Sequence, residues 1–321
     1  NAFEQIERVR GGITLSFFEY TTLAALLIFQ QSRLDVMILE VGLGGRLDAV
    51  NIIDPTVALI TSIGIDHVAW LGSDRESIAR EKAGIMRAGV PVICGDSDMP
   101  QAIRQHADEI GAPLFVIHQD FLVEQQAQDW TWSCNRQSYH HLPKISLRLD
   151  NAASAMMVIE YLQQQLAVSS QSIHDGLQRL SLQGRFELVT VGEKTVIFDV
   201  AHNVDSVTAL AKQLDIVQPQ GSVRAVFSAL AEKDLASMVA PLVDRVCCWY
   251  VASLNCERAA SVDALLAVLQ QYNCCYQLCD DVVAAFDQAM VQCDTTAGES
   301  VLVYGSFKTV AAAKLSAVCS V

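Results

Sequence analysis

The sequence predicts an α/β protein with two domains. Short apolar runs alternate with amphipathic helical stretches through most of its 321 residues. This alternation is typical of mostly parallel sheets flanked by helices, and the length suits two cores of ordinary size. Between about residues 118 and 149 the alternation stops, and Trp130 and Trp132 lie in a polar, aromatic stretch. That stretch predicts a β-hairpin or a small antiparallel sheet.

We expect the first domain to span residues 1–184. Its first predicted helix covers residues 19–31. The continuous apolar run at residues 35–41 (DVMILEV) has the appearance of a strand buried on both faces. The other predicted elements are strands at 57–63 and 91–94 and helices at 74–87, 100–110 and 151–165, the last capped by Asp150 or Asn151.

The second domain is expected at residues 185–321. Four further apolar runs, each followed by a helical stretch, predict a Rossmann-like parallel sheet. The predicted strands cover residues 195–200, 223–228, 247–251 and 301–304.

Composition excludes several classes of protein. The formal net charge is −14 and no Lys/Arg run occurs, so we expect no nucleic-acid partner. No apolar stretch reaches the ~18 residues that cross a bilayer, and residues 1–10 lack a signal-peptide core, so we expect a cytoplasmic protein without a membrane partner. The ten cysteines include the vicinal pairs Cys247–Cys248 and Cys274–Cys275 but no zinc-site spacing, and we expect reduced thiols without a function.

Polar residues follow the first two predicted strands of the first domain. Glu40 ends the run at 35–41 and precedes a glycine-rich loop, and His67 lies just past the run at 57–63. Ligands of open α/β sheets bind beyond the carboxyl ends of the strands, and NTPases place magnesium-holding acidic residues there. If the two strands are neighbours, both side chains face one crevice. The alternative is a loop-capping Glu40 and a turn histidine, and the spacing leaves both open.

Two phosphate-binding motifs are excluded. The glycines at positions 42, 44 and 45 do not match G-x-G-x-x-G, and no helix is predicted before Pro55, so a dinucleotide site is not expected. The loop instead suits the close approach of a flat or bulky group. The pattern G-x-x-x-x-G-K-[ST] occurs nowhere, so these 321 residues hold no Walker A phosphate loop.

The second domain carries a dense polar cluster at residues 199–203 (DVAHN), where a predicted strand meets a helix. A helix N-terminus with such side chains suits an anionic group. A structural role, with Asn203 as a helix cap and Asp199 buried and paired, is equally compatible with the pattern. Residues 303–309 (VYGSFKT) repeat the arrangement of strand, glycine turn and hydroxyl groups.

Eight motifs occur in an order that resembles one known family, the bacterial dihydrofolate synthase/folylpolyglutamate synthases of the Mur ligase superfamily. The similarity runs from about residue 12 to about residue 310. The motifs are EVGLGGRLDAVN (40–51), TSIGIDH (61–67), WLG (70–72), RESIAREKAGI (75–85), GRFE (184–187), FDVAHN (198–203), ALAEKD (229–234) and YGSFKTV (304–310).

The resemblance implies an incomplete Mur-ligase-type ATPase domain with a parallel sheet and a small antiparallel patch, followed by a Rossmann-like domain. It implies Mg²⁺, ATP, dihydropteroate or folates and L-glutamate as partners. In such ligases ATP phosphorylates a carboxylate, and the glutamate amine attacks the acyl phosphate to give an amide. The product is dihydrofolate or a longer folate polyglutamate.

The resemblance also implies roles for individual residues. Lys82, which by itself is an ordinary solvated helix lysine, matches a carbamylated lysine. The implied sets are Glu40, His67 and Lys82 for the metal; Phe17, Phe18, Glu19, Arg46, Leu47, Asp48 and Ala49 for folate; Asn151, Arg185 and Asp199 for ATP; His202 and Ser306 for glutamate or phosphate; and Lys82 and His202 for catalysis.

The sequence departs from the family in three places. Val204 and Gln183 replace prolines that are frequent there, and the phosphate loop is not found. We therefore expect that an N-terminal piece of roughly 100 residues is missing, and that this chain, a monomer, is inactive alone. Two rivals remain: a peptidoglycan-precursor ligase, which the acceptor-loop motifs disfavour, and a non-catalytic binding protein. The gene sequence before Asn1 separates the second rival from an enzyme.

Overall fold

The computed structural model describes residues 1–126, 128–217 and 221–319, with only the backbone of 318 and 319. The chain forms two compact units. The first comprises Asn1–His141 and Asp150–Val168, and the second comprises Leu142–Leu149 and Ser169–Val321. The sequence places the division after Gly184, whereas the compact units divide the chain after Val168.

A three-stranded parallel sheet forms the centre of the first unit. Its strands are β1 (Ala58–Ile60), β2 (Val92–Cys94) and β3 (Leu114–Val116), in that order. The predicted strands at 57–63 and 91–94 are confirmed, although β1 is shorter than predicted. The helices up to residue 162 are α1 (Ala2–Arg10), α2 (Phe17–Gln31), α3 (Val68–Leu71), α4 (Arg75–Ala83), α5 (Gln101–Ile110) and α6 (Leu149–Leu162).

The predicted strand at residues 35–41 is wrong for the described residues. The segment has no strand partner among them, and Val36, Met37 and Ile38 are 47%, 39% and 88% exposed. An apolar run becomes a strand only when a neighbouring strand supplies hydrogen bonds. Among the described residues β1 pairs with β2 alone, so the other edge of β1 has no strand partner there.

The predicted antiparallel patch is confirmed. Strands β4 (Phe121–Gln125), β5 (Asp129–Cys134) and β6 (Ser138–Pro143) form a separate three-stranded sheet. Trp132 is fully buried, and its indole Nε1 donates to the carbonyl of Ala153 in α6 at 3.0 Å. The predicted cap of this helix is wrong, because α6 begins at Leu149 and both proposed capping residues lie in its first turn.

The second unit contains a six-stranded sheet in the order β11-β10-β9-β12-β8-β7. All neighbours are parallel except β7 and β8. The four predicted strands are confirmed, and the short β11 and the antiparallel β7 are additional. The strands are β7 (Glu187–Val191), β8 (Lys194–Phe198), β9 (Val223–Phe227), β10 (Val246–Val251), β11 (Tyr276–Leu278) and β12 (Ser300–Tyr304).

Helices cover both faces of this sheet. Alternate strand residues point to opposite faces, so Trp249 packs with one core cluster and Tyr250 with the other. The helices are α7 (Ser170–Gln178), α8 (Val204–Val217), α9 (Leu235–Val239), α10 (Val262–Gln271), α11 (Val282–Gln292) and α12 (Phe307–Cys319). In the described ranges, none of the helices is long and apolar enough to cross a membrane.

Candidate functional site

One carboxylate organises the glycine loop, residues 42–48, of the first unit. Asp48 Oδ2 accepts hydrogen bonds from the backbone N–H groups of Gly42 at 3.0 Å and Leu43 at 2.9 Å. Its Oδ1 accepts from the N–H of Val50 at 3.0 Å. Three backbone donors therefore converge on this side chain, which closes the loop upon itself. The sequence predicts Asp48 as a folate contact, and the structure gives it this loop-forming role.

Aromatic and apolar side chains lie exposed beside the glycine loop. A Cβ added to Gly42 would lie 2.8 Å from Cζ of Phe18, so the ring packs directly on the loop backbone. Phe17 and Leu47 are 85% and 79% exposed. The structure thus brings Phe18 of the predicted folate set to the loop, at the start of α2.

The carboxylate of Glu19, another predicted folate contact, is engaged locally. It accepts a hydrogen bond from the N–H of Ser16 at 2.7 Å, and the Ser16 hydroxyl accepts from the N–H of Glu19. These hydrogen bonds lower the pKa of Glu19. The residue therefore caps α2, and its contact with folate stays a prediction.

A short helix follows the loop, contrary to the expectation of none before Pro55. Ala49–Ile52 forms one 3₁₀ turn, which Asp48 caps. Ala49, a predicted folate contact, is the first residue of this turn. The turn has only four residues, so it does not provide the helix that a dinucleotide fingerprint requires.

The glycine loop docks on α4 next to Lys82. The N–H of Arg46 donates to the carbonyl of Glu81 at 2.8 Å, and the Arg46 guanidinium pairs with the Glu81 carboxylate at 3.0 Å. Glycine permits this approach, because a Cβ on Gly84 would lie 2.3 Å from that of Arg46. Two motifs that are 35 residues apart are therefore in direct contact.

Lys82 is half-buried, and this burial lowers the pKa of its amine. A charged ammonium group is disfavoured where water is excluded. The lowered pKa increases the neutral fraction of the amine, which is the form that reacts with carbon dioxide. The carbamylated form of Lys82 stays a prediction.

His67 occupies an unusual backbone conformation. Its φ and ψ are 53° and 40°, the left-handed region, immediately before α3. Its N–H donates to Asp66 Oδ1 at 2.8 Å, and its side chain is exposed. Four other non-glycine residues, His118, His141, Phe186 and Asn273, also have positive φ, so the conformation does not separate a ligand role from an ordinary turn, and the metal role of His67 stays a prediction.

Glu40 is exposed at the end of the unpaired segment 35–41. The expectation that neighbouring strands bring Glu40 and His67 to one crevice therefore loses its basis. Within the described ranges, no group of three or more His, Cys, Asp and Glu side chains is arranged to hold a metal ion. The set Glu40, His67 and Lys82 stays a prediction, although a carboxylate, an imidazole and a carbamate are suitable donors for a divalent ion.

Two residues that the sequence did not single out hold the segment that leads to His67. Asp96 Oδ2 accepts from the N–H of Ile63 at 2.7 Å, and Arg75 Nε donates to the carbonyl of Ile63 at 2.8 Å. Asp96 and Arg75 also pair with each other at 2.9 Å. The N–H and the carbonyl of Ile63 are therefore both held by side chains. The sequence names Arg75 only as part of a motif.

Asn151, a predicted ATP contact, lies exposed in the first turn of α6. Gly95 allows this helix to approach, since a Cβ there would lie 2.4 Å from Ser154 Oγ. The ATP contact of Asn151 stays a prediction.

In the second unit Asp199 joins two of the motifs. Its Oδ2 accepts from the N–H of Phe186 at 2.8 Å, and its Oδ1 accepts from the N–H of Ala201 at 2.7 Å. Burial raises the pKa of Asp199, although these hydrogen bonds and the charges of Arg185 and His202 act in the opposite direction. The geometry supports the structural role that the pattern left open. The ATP contact of Asp199 stays a prediction.

An aromatic and cationic cluster lies at the carboxyl end of this sheet. The guanidinium carbon of Arg185 is 5.6 Å from the ring centroid of Phe307, and the ring centroids of His202 and Phe307 are 6.4 Å apart. Phe307 is 62% exposed. We call Arg185, His202 and Phe307 the strand-end cluster. Sequence reasoning missed Phe307, although it lies within a recognised motif.

The tautomer of His202 follows from one contact. Its Nδ1 lies 2.9 Å from the carbonyl oxygen of Val200, which can only accept. Nδ1 therefore carries the proton in the neutral ring, and Nε2 carries the lone pair. This assignment suits His202 to accept a proton at Nε2.

Hydroxyl and amide groups at the two helix starts act as caps. Asn203 Oδ1 accepts from the N–H of Ser206 at 3.0 Å, which confirms the capping alternative for α8. Ser306 is buried, and its Oγ accepts from the N–H of Thr309 at 3.0 Å. The glutamate contact predicted for Ser306 stays a prediction beside this structural role.

Two family profiles match the chain: the Mur ligase middle domain at residues 9–169 and the Mur ligase glutamate ligase domain at residues 184–307. The dihydrofolate synthase/folylpolyglutamate synthase of Escherichia coli is 43% identical over 310 residues, which are 97% of this chain and 71% of that protein. The chain belongs to the dihydrofolate synthase/folylpolyglutamate synthase family.

Solved structures of the family agree with this assignment. Escherichia coli FolC in complex with DHPP and ADP superposes with a TM-score of 0.91 at 42% identity, and the match covers 99% of this chain and 74% of that one. A bifunctional folylpolyglutamate synthase/dihydrofolate synthase with Mn, AMPPNP and L-glutamate bound superposes with a TM-score of 0.89 at 44% identity, and the match covers 100% of this chain and 75% of that one. The predicted α/β ligase fold is confirmed.

Proposed function

We propose that the protein expressed from its complete gene is an ATP-dependent amide ligase that adds L-glutamate to dihydropteroate and to folate polyglutamates. The observation that carries the proposal is the glycine loop. Asp48 closes it, Phe18 packs on it, and Arg46 docks it beside Lys82. The loop thus joins an exposed apolar surface, suited to a flat pterin ring, to the lysine of the proposed metal site.

The chemistry of three side chains in the first unit suits a divalent ion. Glu40, His67 and a carbamylated Lys82 would hold Mg²⁺, which would offset negative charge on phosphate and carboxylate oxygens. Burial of Lys82 favours the neutral amine, whose nitrogen forms a bond to carbon dioxide and loses a proton. The helix lysine then presents an anionic oxygen instead of a cation.

The residues of the second unit supply charge and a base. We assign Arg185 and Asp199 to ATP, and His202 and Ser306 to glutamate or phosphate. Phe307 orients the Arg185 guanidinium by a cation–π contact. His202 Nε2 accepts the proton that the glutamate amine loses when its nitrogen attacks the acyl phosphate and phosphate departs.

A coupled assay of ADP release tests this function. The complete-gene protein should release ADP only when dihydropteroate and L-glutamate are both present, and Arg185→Ala should raise KM for ATP more than Arg185→Lys. ADP release that requires a UDP-sugar acceptor in place of dihydropteroate would point to a peptidoglycan-precursor ligase. Saturable binding of dihydropteroate without ADP release would point to the non-catalytic alternative. Inactivity of the 321-residue chain alone stays a prediction for the same assay.

We further infer that the protein acts as a monomer in the cytoplasm. The nine cysteines that the structure describes are all free, which suits a reducing compartment. Sedimentation equilibrium tests the monomer, and a mass twice that of the chain would contradict it.

A further inference from the structure

The second unit carries two vicinal cysteine pairs that the proposed reaction does not use. Trp249 pairs with Tyr276 in the parallel ladder of β10 and β11, so the residues before them, Cys248 and Cys275, face each other across the two strands. The N–H of Trp249 donates to the carbonyl of Cys275 at 2.9 Å, which fixes this register. The two Sγ atoms are 3.5 Å apart, in van der Waals contact.

Each vicinal pair contributes only one thiol to this contact. A β-bulge between Val246 and Cys248 turns Cys247 toward Glu299, whose Oε1 lies 3.6 Å from the Cys247 Sγ. Cys274 packs against the core cluster of the opposite sheet face, whereas Cys248 packs on the same face as Tyr250. The facing thiols are therefore a defined pair within a group of four.

The backbone spacing of this pair suits a disulfide. Neighbouring strands are about 4.8 Å apart, and disulfide-linked residues have Cα atoms roughly 4.4–6.8 Å apart. A bond between the two sulfur atoms therefore requires side-chain rotation and little strand movement. We propose that Cys248 and Cys275 form a reversible modification site that exchanges with small-molecule disulfides such as glutathione disulfide.

Exposure assigns the order of the two steps. Cys275 is exposed and Cys248 is partly buried. The Cys275 thiolate attacks one sulfur of glutathione disulfide, the S–S bond breaks, and one glutathione leaves and takes up a proton. Cys248 then loses its proton and attacks Cys275 Sγ, which displaces the second glutathione. Two protein thiols and one small disulfide thus yield one protein disulfide and two glutathione thiols.

The different burial of the two thiols supports this order. Burial raises the pKa of Cys248 to about 11, and contact with Cys275 adds to the increase. The thiolate is the nucleophile in exchange. Cys248 is therefore poorly suited to the first attack on a dilute reagent, and it acts as the resolving thiol once the mixed disulfide places a sulfur beside it.

This pair lies away from the strand-end cluster. Cys248 and Cys275 are near the amino ends of β10 and β11, and β11 is an edge of the described sheet. Arg185, His202 and Phe307 lie at the opposite, carboxyl ends of the strands. The inference is therefore independent of the proposed ligase activity.

Peptide mapping of the full 321-residue chain tests the proposal. The reduced protein is incubated with glutathione disulfide, remaining thiols are alkylated under denaturing conditions, and tryptic peptides are analysed by mass spectrometry. Arg258 lies between the two cysteines, so trypsin separates an unlinked pair. Cys275→Ser removes one partner, and Cys274→Ser is the matched control because its thiol is on the other sheet face.

We expect the chain mass to fall by about 2 Da, the two thiol hydrogens, with Cys248 joined to Cys275. Cys274→Ser should form the bond at a rate within about two-fold of wild type, and Cys275→Ser should form at least about ten-fold less of any bond to Cys248. A bond within either vicinal pair, a persistent mixed disulfide on Cys275, or unchanged thiols would overturn the proposal. If Cys275→Ser does not fold, the wild-type map and Cys274→Ser decide the outcome.

Discussion

Substitution of Asp48 by alanine should disorder the glycine loop and weaken dihydropteroate binding. The carboxylate accepts three backbone hydrogen bonds, from Gly42, Leu43 and Val50. Each contributes roughly 1 kcal/mol net, because water replaces part of the lost interaction at these accessible positions. A total of about 2 to 3 kcal/mol of loop order corresponds to roughly 30- to 150-fold weaker binding, at about 1.4 kcal/mol for each ten-fold change.

Isothermal titration of the 321-residue chain with dihydropteroate measures this effect. Asp48→Asn should fall between wild type and Asp48→Ala, because the amide keeps one accepting oxygen. Asp54→Ala is the matched control, since Asp54 pairs with Arg87 at the surface and does not contact the loop backbone. If the affinity of Asp48→Ala stays within about two-fold of wild type while the control behaves the same way, the loop-closing role of Asp48 in binding is refuted.

Three further outcomes are expected. Gly305→Ala should lower the free energy of unfolding by about 3 kcal/mol, since φ is 112° and a Cβ would lie 2.2 Å from the Ser228 carbonyl oxygen. The control Gly192→Ala, with φ 61° and open space around the added Cβ, should cost only about 1 kcal/mol in the same urea titration. Equal costs would contradict the steric argument. Because burial raises the folded pKa of Asp199 above its ordinary 3.8, the wild type should lose stability relative to Asp199→Asn as the pH rises above about 4. Urea titrations that show a constant difference between the two proteins would exclude this cause. Lys82→Ala should abolish ADP release by the complete-gene protein, with partial recovery in acetate or formate, and full activity without rescue would remove the carbamate role.

The sequence predicts the fold well where the hydrogen-bonding partners of a strand belong to the described chain. The runs that became β2, β9 and β10 have such partners. The run at 35–41 has the same apolar composition and remains unpaired, because composition reports burial tendency and not the presence of a neighbour. The cap of α6 was misplaced for a local reason, since short polar residues suit a first helical turn almost as well as a cap.

For the candidate site, motifs located the loops but not the atoms that shape them. The recognised motif contains Asp48, but its sequence does not show that the carboxylate accepts a hydrogen bond from the N–H of Gly42, six residues earlier. Contacts between distant segments are harder still. Asp96 accepts a hydrogen bond from Ile63, and the guanidinium of Arg185 lies over the ring of Phe307. Both contacts depend on the tertiary fold, which hydrophobic periodicity does not predict.

The most direct test of the proposed ligase is the identity of its product. The complete-gene protein is incubated with ATP, Mg²⁺, dihydropteroate and L-glutamate, and the products are resolved by mass spectrometry. We predict dihydrofolate as the product, with one ADP and one phosphate released for each amide bond formed. ATP consumption that does not require dihydropteroate, or glutamate found on a UDP-sugar acceptor instead, would contradict it.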